Sequence, residues 1–167
     1  MQSYRNYWGA LDVPPHLDAA GIDALLVQLV AKDEEWIRRN PQTPWFYEAG
    51  IPYRRDPPGG DKWLPIPGVL AQGHADCKSM AAWRVAELRV KGDKYRDARG
   101  NVVRTGPEAA KAFWVDGRTE KSLGPGQYHV RLRRGDGRIE DPSVMMGMYG
   151  AVQVMRAPWM AATHSFR

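Results

Sequence analysis

Apolar residues recur at helical spacing from Ile22 through Leu25, Leu26, Leu29, Val30, Trp36 and Ile37, with Asp33 on the same stripe. That period predicts an amphipathic helix. Asp18 stands where an N-cap belongs, and Pro41 lies just past the end. The adjacent acids Asp33-Glu34-Glu35 point in different directions on a helix, so they read as a solvated face rather than a carboxylate cluster. A second helical stripe, Met80, Ala81, Val85 and Leu88, follows Asp76 as a cap and ends near Gly92. Between the two helices, residues 40–73 carry Pro41, Pro44, Pro52, Pro57, Pro58, Pro65 and Pro67. So many prolines exclude regular helix or sheet throughout and predict a loop-rich segment. Its aromatics, Trp45, Phe46, Tyr47, Tyr53 and Trp63, either pin that segment to the core or line a groove.

The second half reads as strands. Ala98-Arg99-Gly100-Asn101 is a turn signal, with Val102 and Val103 after it. Pro107 suits a first helical turn and predicts a short helix to Phe113. Trp114-Val115 predicts a short strand closed by Asp116-Gly117. Gln127 to Arg133 alternates like a strand, Gly135-Asp136-Gly137 turns it, and Arg138 to Asp141 returns. Val152, Val154 and Met155 predict a last strand before Pro158. Residues 1–17 read as an extended, aromatic N-terminal arm, lying on the body or on a neighbouring molecule. Residues 145–167 form a Met-rich C-terminal tail. The whole, 1–167, reads as a single α+β domain.

At 167 residues, with 43% hydrophobic and 26% charged, the chain can bury a core and falls in the soluble globular class. It has no apolar run long enough for a membrane span. The first residues contain no apolar secretory core, so a cytoplasmic setting is expected. A single cysteine excludes an internal disulfide. The net charge of +5 is spread along the chain. Arg131, Arg133, Arg134 and Arg138 concentrate at one hairpin and read as a solvated tip. No nucleic-acid motif accompanies them, and nucleic acid is not an expected partner.

The candidate chemistry centres on that cysteine. In Gly73-His74-Ala75-Asp76-Cys77-Lys78-Ser79, a loop becomes a helix, and Cys77 falls in its first turn. A thiol there meets unpaired backbone N–H groups and the positive end of the helix dipole, which favour thiolate. The same N–H groups can steady an oxyanion. His129 lies in the alternating strand and Asp141 at the end of its return. A three-residue loop over 135–137 sets Arg131 opposite Asp141 and makes His129 and Asp141 diagonal neighbours on one face. A two-residue turn moves Asp141 to the other face. A Cys–His–Asp triad therefore requires a loop of odd length. It also places Ile139 on the His129 face, which then needs cover, expected from the Cys77 helix. His74 and Cys77 have zinc-like spacing, with His129 and Asp141 as possible further ligands. The helix position already accounts for Cys77, and no metal or other cofactor is expected.

The stretches Ala75-Asp76-Cys77-Lys78-Ser79-Met80-Ala81, Tyr128-His129-Val130 and Asp136-Gly137-Arg138-Ile139-Glu140-Asp141-Pro142-Ser143 resemble the transglutaminase-like superfamily, a papain-like branch found in bacterial and phage proteins. The resemblance covers about residues 60–145. It implies a helix that presents Cys77 to an antiparallel sheet bearing His129 and Asp141. By that likeness Cys77 is the nucleophile, His129 the general base and then acid, and Asp141 the orienting carboxylate. The implied reaction is thiol-dependent acyl transfer to water or an amine, as a cysteine protease or amidase, on a protein or peptide substrate. Gln72 and the Cys77 N–H are the expected oxyanion donors, and Trp63, His74 and Trp83 the expected substrate contacts. Lys78 stands where animal transglutaminases have Trp, and Ala75 where bacterial relatives often have Gly, so protein cross-linking is not specifically implied. The alternative is a non-enzymatic assembly or binding module of phage type that keeps the fold and self-associates through its arm.

Overall fold

Helix α1 spans Ala19–Arg39, and its first free N–H groups explain why it starts there. The Asp18 carboxylate accepts the Gly21 N–H at 2.7 Å. Ile22, Leu25, Leu26, Leu29, Val30 and Ile37 are buried as the period requires. The computed structural model describes residues 9–57, 60–104, 106, 109–124 and 126–149. The described part of the N-terminal arm lies on the body: Leu11 donates its N–H to the Trp63 carbonyl at 2.9 Å and packs in the core.

Asp33 departs from the expected solvated face. It is fully buried, and its Oδ1 accepts the Ile66 N–H at 2.7 Å. That bond caps a second helix, α2 (Ile66–Gln72), inside the segment read as loop. Pro65 and Pro67 disguise it, yet proline is tolerated at a helix start, and Pro65 supplies no side-chain cap of its own. Burial raises the Asp33 carboxyl well above the usual range, and the Ile66 bond only partly opposes this. Glu35 pairs one turn on with Arg39, while Glu34, its side chain only 12% exposed, pairs with Arg38 one turn on and with Arg89 at 2.9 Å. Gly73 closes α2 at φ 76°, a left-handed geometry that glycine adopts without strain.

Helix α3 (Cys77–Lys91) is the central element; every residue from Cys77 to Leu88 is buried. Cys77, Ala81, Ala82, Val85 and Leu88 pack with α1 and the sheet, while Met80, Trp83 and Ala86 pack with Phe46, Ile66 and Val69. Full burial traps Arg84 and Glu87 inside, where charges need partners. Arg84 Nη1 donates to Glu87 Oε1 at 2.5 Å, and Arg84 Nε to Glu140 Oε1 at 2.6 Å. The second Glu87 oxygen accepts the Phe46 N–H at 2.7 Å, and the Tyr47 hydroxyl donates to Glu140 at 2.5 Å. Burial disfavours the Arg84 charge, but the two carboxylates outweigh it and raise the guanidinium further.

After Gly92, strands β1 (Lys94–Arg96) and β2 (Val102–Arg104) form a two-stranded hairpin. Strand β3 (Lys111–Asp116) replaces the helix expected up to Phe113. Alternation decides the outcome: Ala112 and Trp114 face the core, and Trp114 Nε1 donates to Asp23 of α1 at 2.9 Å. Strands β4 (Tyr128–Arg133) and β5 (Ile139–Glu140) complete an antiparallel sheet of order β3-β4-β5. Leu132 pairs with Glu140 and Arg133 with Ile139. The loop is therefore the three residues 135–137, closed by Arg134 N–H to Arg138 O at 2.8 Å, with Gly137 at φ 88°. The chain is thus mixed α+β, with helices packed on small antiparallel sheets.

Two sheet details differ from the sequence reading. Helix α3 covers the Val130 and Leu132 face, not the His129 face, so Ile139 is left 45% exposed opposite exposed Arg133. Arg134 is not part of a solvated tip; it is buried against Asp93 and Glu140. A short helix, α4 (Pro142–Met145), follows β5. The expected strand around Val152–Met155 lies outside the described residues. No described helix is long and apolar enough to cross a membrane.

Candidate active site

Three local devices bring Cys77, His129 and Asp141 to one place. Asp76 caps α3 by accepting the Ser79 N–H at 3.3 Å, which sets Cys77 in the first turn. Strand β4 begins at the site, so Tyr128 and His129, on opposite faces, both border it. The three-residue loop sets the register that carries Asp141 back beside His129. Asp141 is also the cap of α4: its Oδ1 accepts the Val144 N–H at 3.3 Å, and Pro142 takes the first helical position. The Asp-Pro-Ser signal is thus a helix start that leaves the other carboxylate oxygen available.

That second oxygen, Oδ2, lies 2.8 Å from His129 Nε2 and 3.0 Å from Arg131 Nε. A carboxylate only accepts, so Nε2 carries a proton toward Asp141, and in a neutral imidazole Nδ1 is then the nitrogen with the lone pair. Burial pushes the Asp141 carboxyl up, but the bonds from His129, Arg131 and the Val144 N–H outweigh it and hold it below the usual range. Arg131 is itself shared with Glu120 at 2.7 Å, which ties Glu120 to the site.

Cys77 is 8% exposed. Burial pushes its thiol up to about 12, and the charges of Asp141 and Asp61 add to that. The Val130 and Lys78 N–H groups pull the other way but do not prevail. The thiolate expected from the helix terminus is therefore not the resting form; desolvation outweighs the backbone donors. One consequence is measurable. Alkylation by iodoacetamide should accelerate about tenfold per pH unit from pH 7 to 10, following the thiolate fraction. A rate plateau below pH 8 would show a standing thiolate–imidazolium pair instead.

Cys77 and His129 border a cleft of ≈ 600 Å³. Part of its wall is an ionic clasp that the sequence did not reveal. The Lys78 ammonium, buried next to Cys77, bonds to Asp61 and Asp76 and lies 3.4 Å from Asp56. The Tyr128 hydroxyl donates to Asp61 at 2.9 Å, and Asp56 accepts the Lys62 N–H at 2.6 Å. Carboxylate oxygens of Asp56, Asp61 and Asp76 lie within 4.8 Å of one another, the one such grouping among the described residues. The clasp fastens the proline-rich loop to the start of α3. Tyr53, also at the cleft, is held by backbone bonds to both sides of the site.

The other sequence-predicted contacts lie elsewhere. Trp63 and Trp83 are fully buried, so neither reaches a substrate. Trp63 stacks on Tyr128 with centroids 6.5 Å apart and backs Lys78, while Trp83 packs edge-on to Phe46 at 5.5 Å. Gln72 is not an oxyanion donor in this arrangement: its amide donates to the His74 carbonyl at 2.7 Å, and neither residue borders the cleft.

No family model matches the chain, and neither a curated protein nor a solved structure matches it.

Proposed function

We propose that the chain is a thiol-dependent acyl-transfer enzyme, a peptidase or amidase of papain-like, transglutaminase-like architecture. The observation that carries this reading is the His129 Nε2 bond to Asp141 at 2.8 Å, made at the edge of a cleft that Cys77 also borders. In this mechanism Asp141 fixes the tautomer, and His129 Nδ1 takes the thiol proton as the sulfur attacks a carbonyl carbon. Cys77 is protonated at rest, so the nucleophile forms only as attack begins. Collapse of the tetrahedral intermediate returns the proton from His129 to the leaving amine and leaves a thioester. Water or a second amine then releases the acyl group.

A binding or assembly module would have such a groove plugged by its own arm or by a partner subunit. Among the described residues, none from 9–17 borders the cleft. The test is acylation by p-nitrophenyl acetate at pH 7.5. The wild type should release p-nitrophenolate and gain one acetyl group on Cys77 by peptide mass spectrometry. Cys77→Ala should do neither while keeping its circular dichroism. Equal turnover with alanine at position 77 removes the nucleophile.

A further inference from the structure

A tetrahedral intermediate formed on Cys77 places negative charge on the former carbonyl oxygen, and a site of this kind needs donors aimed there. The first turn of α3 offers the Cys77 N–H. Gln72, the side chain expected to help, is turned away. Among the side chains bordering the cleft, Lys78 and Tyr128 are committed to carboxylates, and Gln127 accepts the Gly124 N–H through its side-chain oxygen at 3.3 Å. Arg55 is exposed to solvent. The Tyr53 hydroxyl has no hydrogen-bond partner among the described residues.

Tyr53 is positioned by backbone on both sides of the reacting groups. It forms a parallel bridge with Ala75, two residues before Cys77, flanked by Ala75 N–H to Pro52 O at 3.2 Å and Arg54 N–H to Ala75 O at 2.8 Å. Its own N–H donates to the Met146 carbonyl at 3.0 Å, just past the helix that Asp141 caps. The ring is half-buried, packed on the same core cluster as Cys77, and forms part of the cleft wall with Cys77 and His129.

Building on the acyl-transfer reading, we infer that Tyr53 is a catalytic residue whose hydroxyl donates a hydrogen bond to the oxyanion of the tetrahedral intermediate. Burial pushes the phenol up to about 12; the charges of a Cys77 thiolate and Asp141 add to this, and Arg55 opposes it. At neutral pH the hydroxyl therefore keeps the proton it must donate. The sulfur–carbon bond forms while His129 takes the thiol proton, and the carbonyl π pair moves to oxygen. That oxygen accepts from Tyr53 and the Cys77 N–H. Its electron pair then re-forms the carbonyl as the bond to the leaving group breaks.

The test compares two reactions of one sulfur at pH 8. Acylation by p-nitrophenyl acetate passes through an oxyanion; alkylation by iodoacetamide does not. Tyr53→Phe removes one oxygen and keeps the ring in place. Its acylation rate should fall about 100-fold or more, the loss typical of one oxyanion donor, with alkylation within about twofold of wild type. Unchanged acylation overturns the assignment. A parallel fall in both reactions also overturns it, because Tyr53 would then act on the sulfur itself. A wild type that is alkylated but never acylated removes the acyl-transfer reading, and this inference with it.

Discussion

Replacing Arg84 with alanine should destabilise the fold by roughly 3–5 kcal/mol, the range for removing one partner of a buried ion pair. The side chain is buried between Glu87 and Glu140, which are 0% and 3% exposed. Alanine removes the cation that the two carboxylates share in a site closed to water. Glu87 keeps only the Phe46 N–H, and Glu140 keeps the Tyr47 hydroxyl and Arg134 at 3.6 Å. At roughly 2–4 °C per kcal/mol for a domain of this size, the melting temperature should drop on the order of 10 °C. Adding Glu140→Gln to the alanine variant should recover part of the loss, since one stranded charge is gone. A drop of less than about 1 kcal/mol, the range of an exposed pair, would show that water reaches the network.

His129→Ala should slow acylation of Cys77 by p-nitrophenyl acetate at pH 7.5 by roughly 10²–10⁴, the usual contribution of a positioned general base. The thiol cannot substitute for the lost base, because burial holds its proton up to about 12. Alkylation at pH 10, where the small thiolate fraction is set by hydroxide rather than by a base in the site, should stay close to wild type. This contrast separates loss of a base from loss of structure. If acylation at pH 7.5 survives, proton transfer does not pass through the imidazole.

Features written in neighbouring residues were legible in the sequence. Asp18 and Asp76 mark helix starts because a cap is a contact across three residues. Gly135-Asp136-Gly137 determines the hairpin register for a similar reason, and with it the meeting of His129 and Asp141. What escaped depends on distant partners. Helix α2 needs Asp33, 33 residues earlier in the chain, to satisfy its first N–H. Pro107 suggested a helix, but Trp114 finds its partner in Asp23 on α1, and the alternating segment becomes β3. Trp63 and Trp83 look like groove aromatics until the burial of α3 on all sides is known. The protonation of Cys77 was misjudged because the backbone donors are local and visible, whereas the desolvation that outweighs them comes from the whole fold. Tyr53 and the Asp56–Asp61–Asp76–Lys78 clasp gave no spacing signal, since their contacts cross the proline-rich loop.

The clasp has a consequence for how the cleft holds its shape. Many proteins draw such acids together with calcium or magnesium, and their loops then loosen when the supply falls. Here the bridging cation is covalently attached, one residue from the sulfur. Its occupancy does not depend on ion concentration, so this fastening beside Cys77 forms without a free ion being captured.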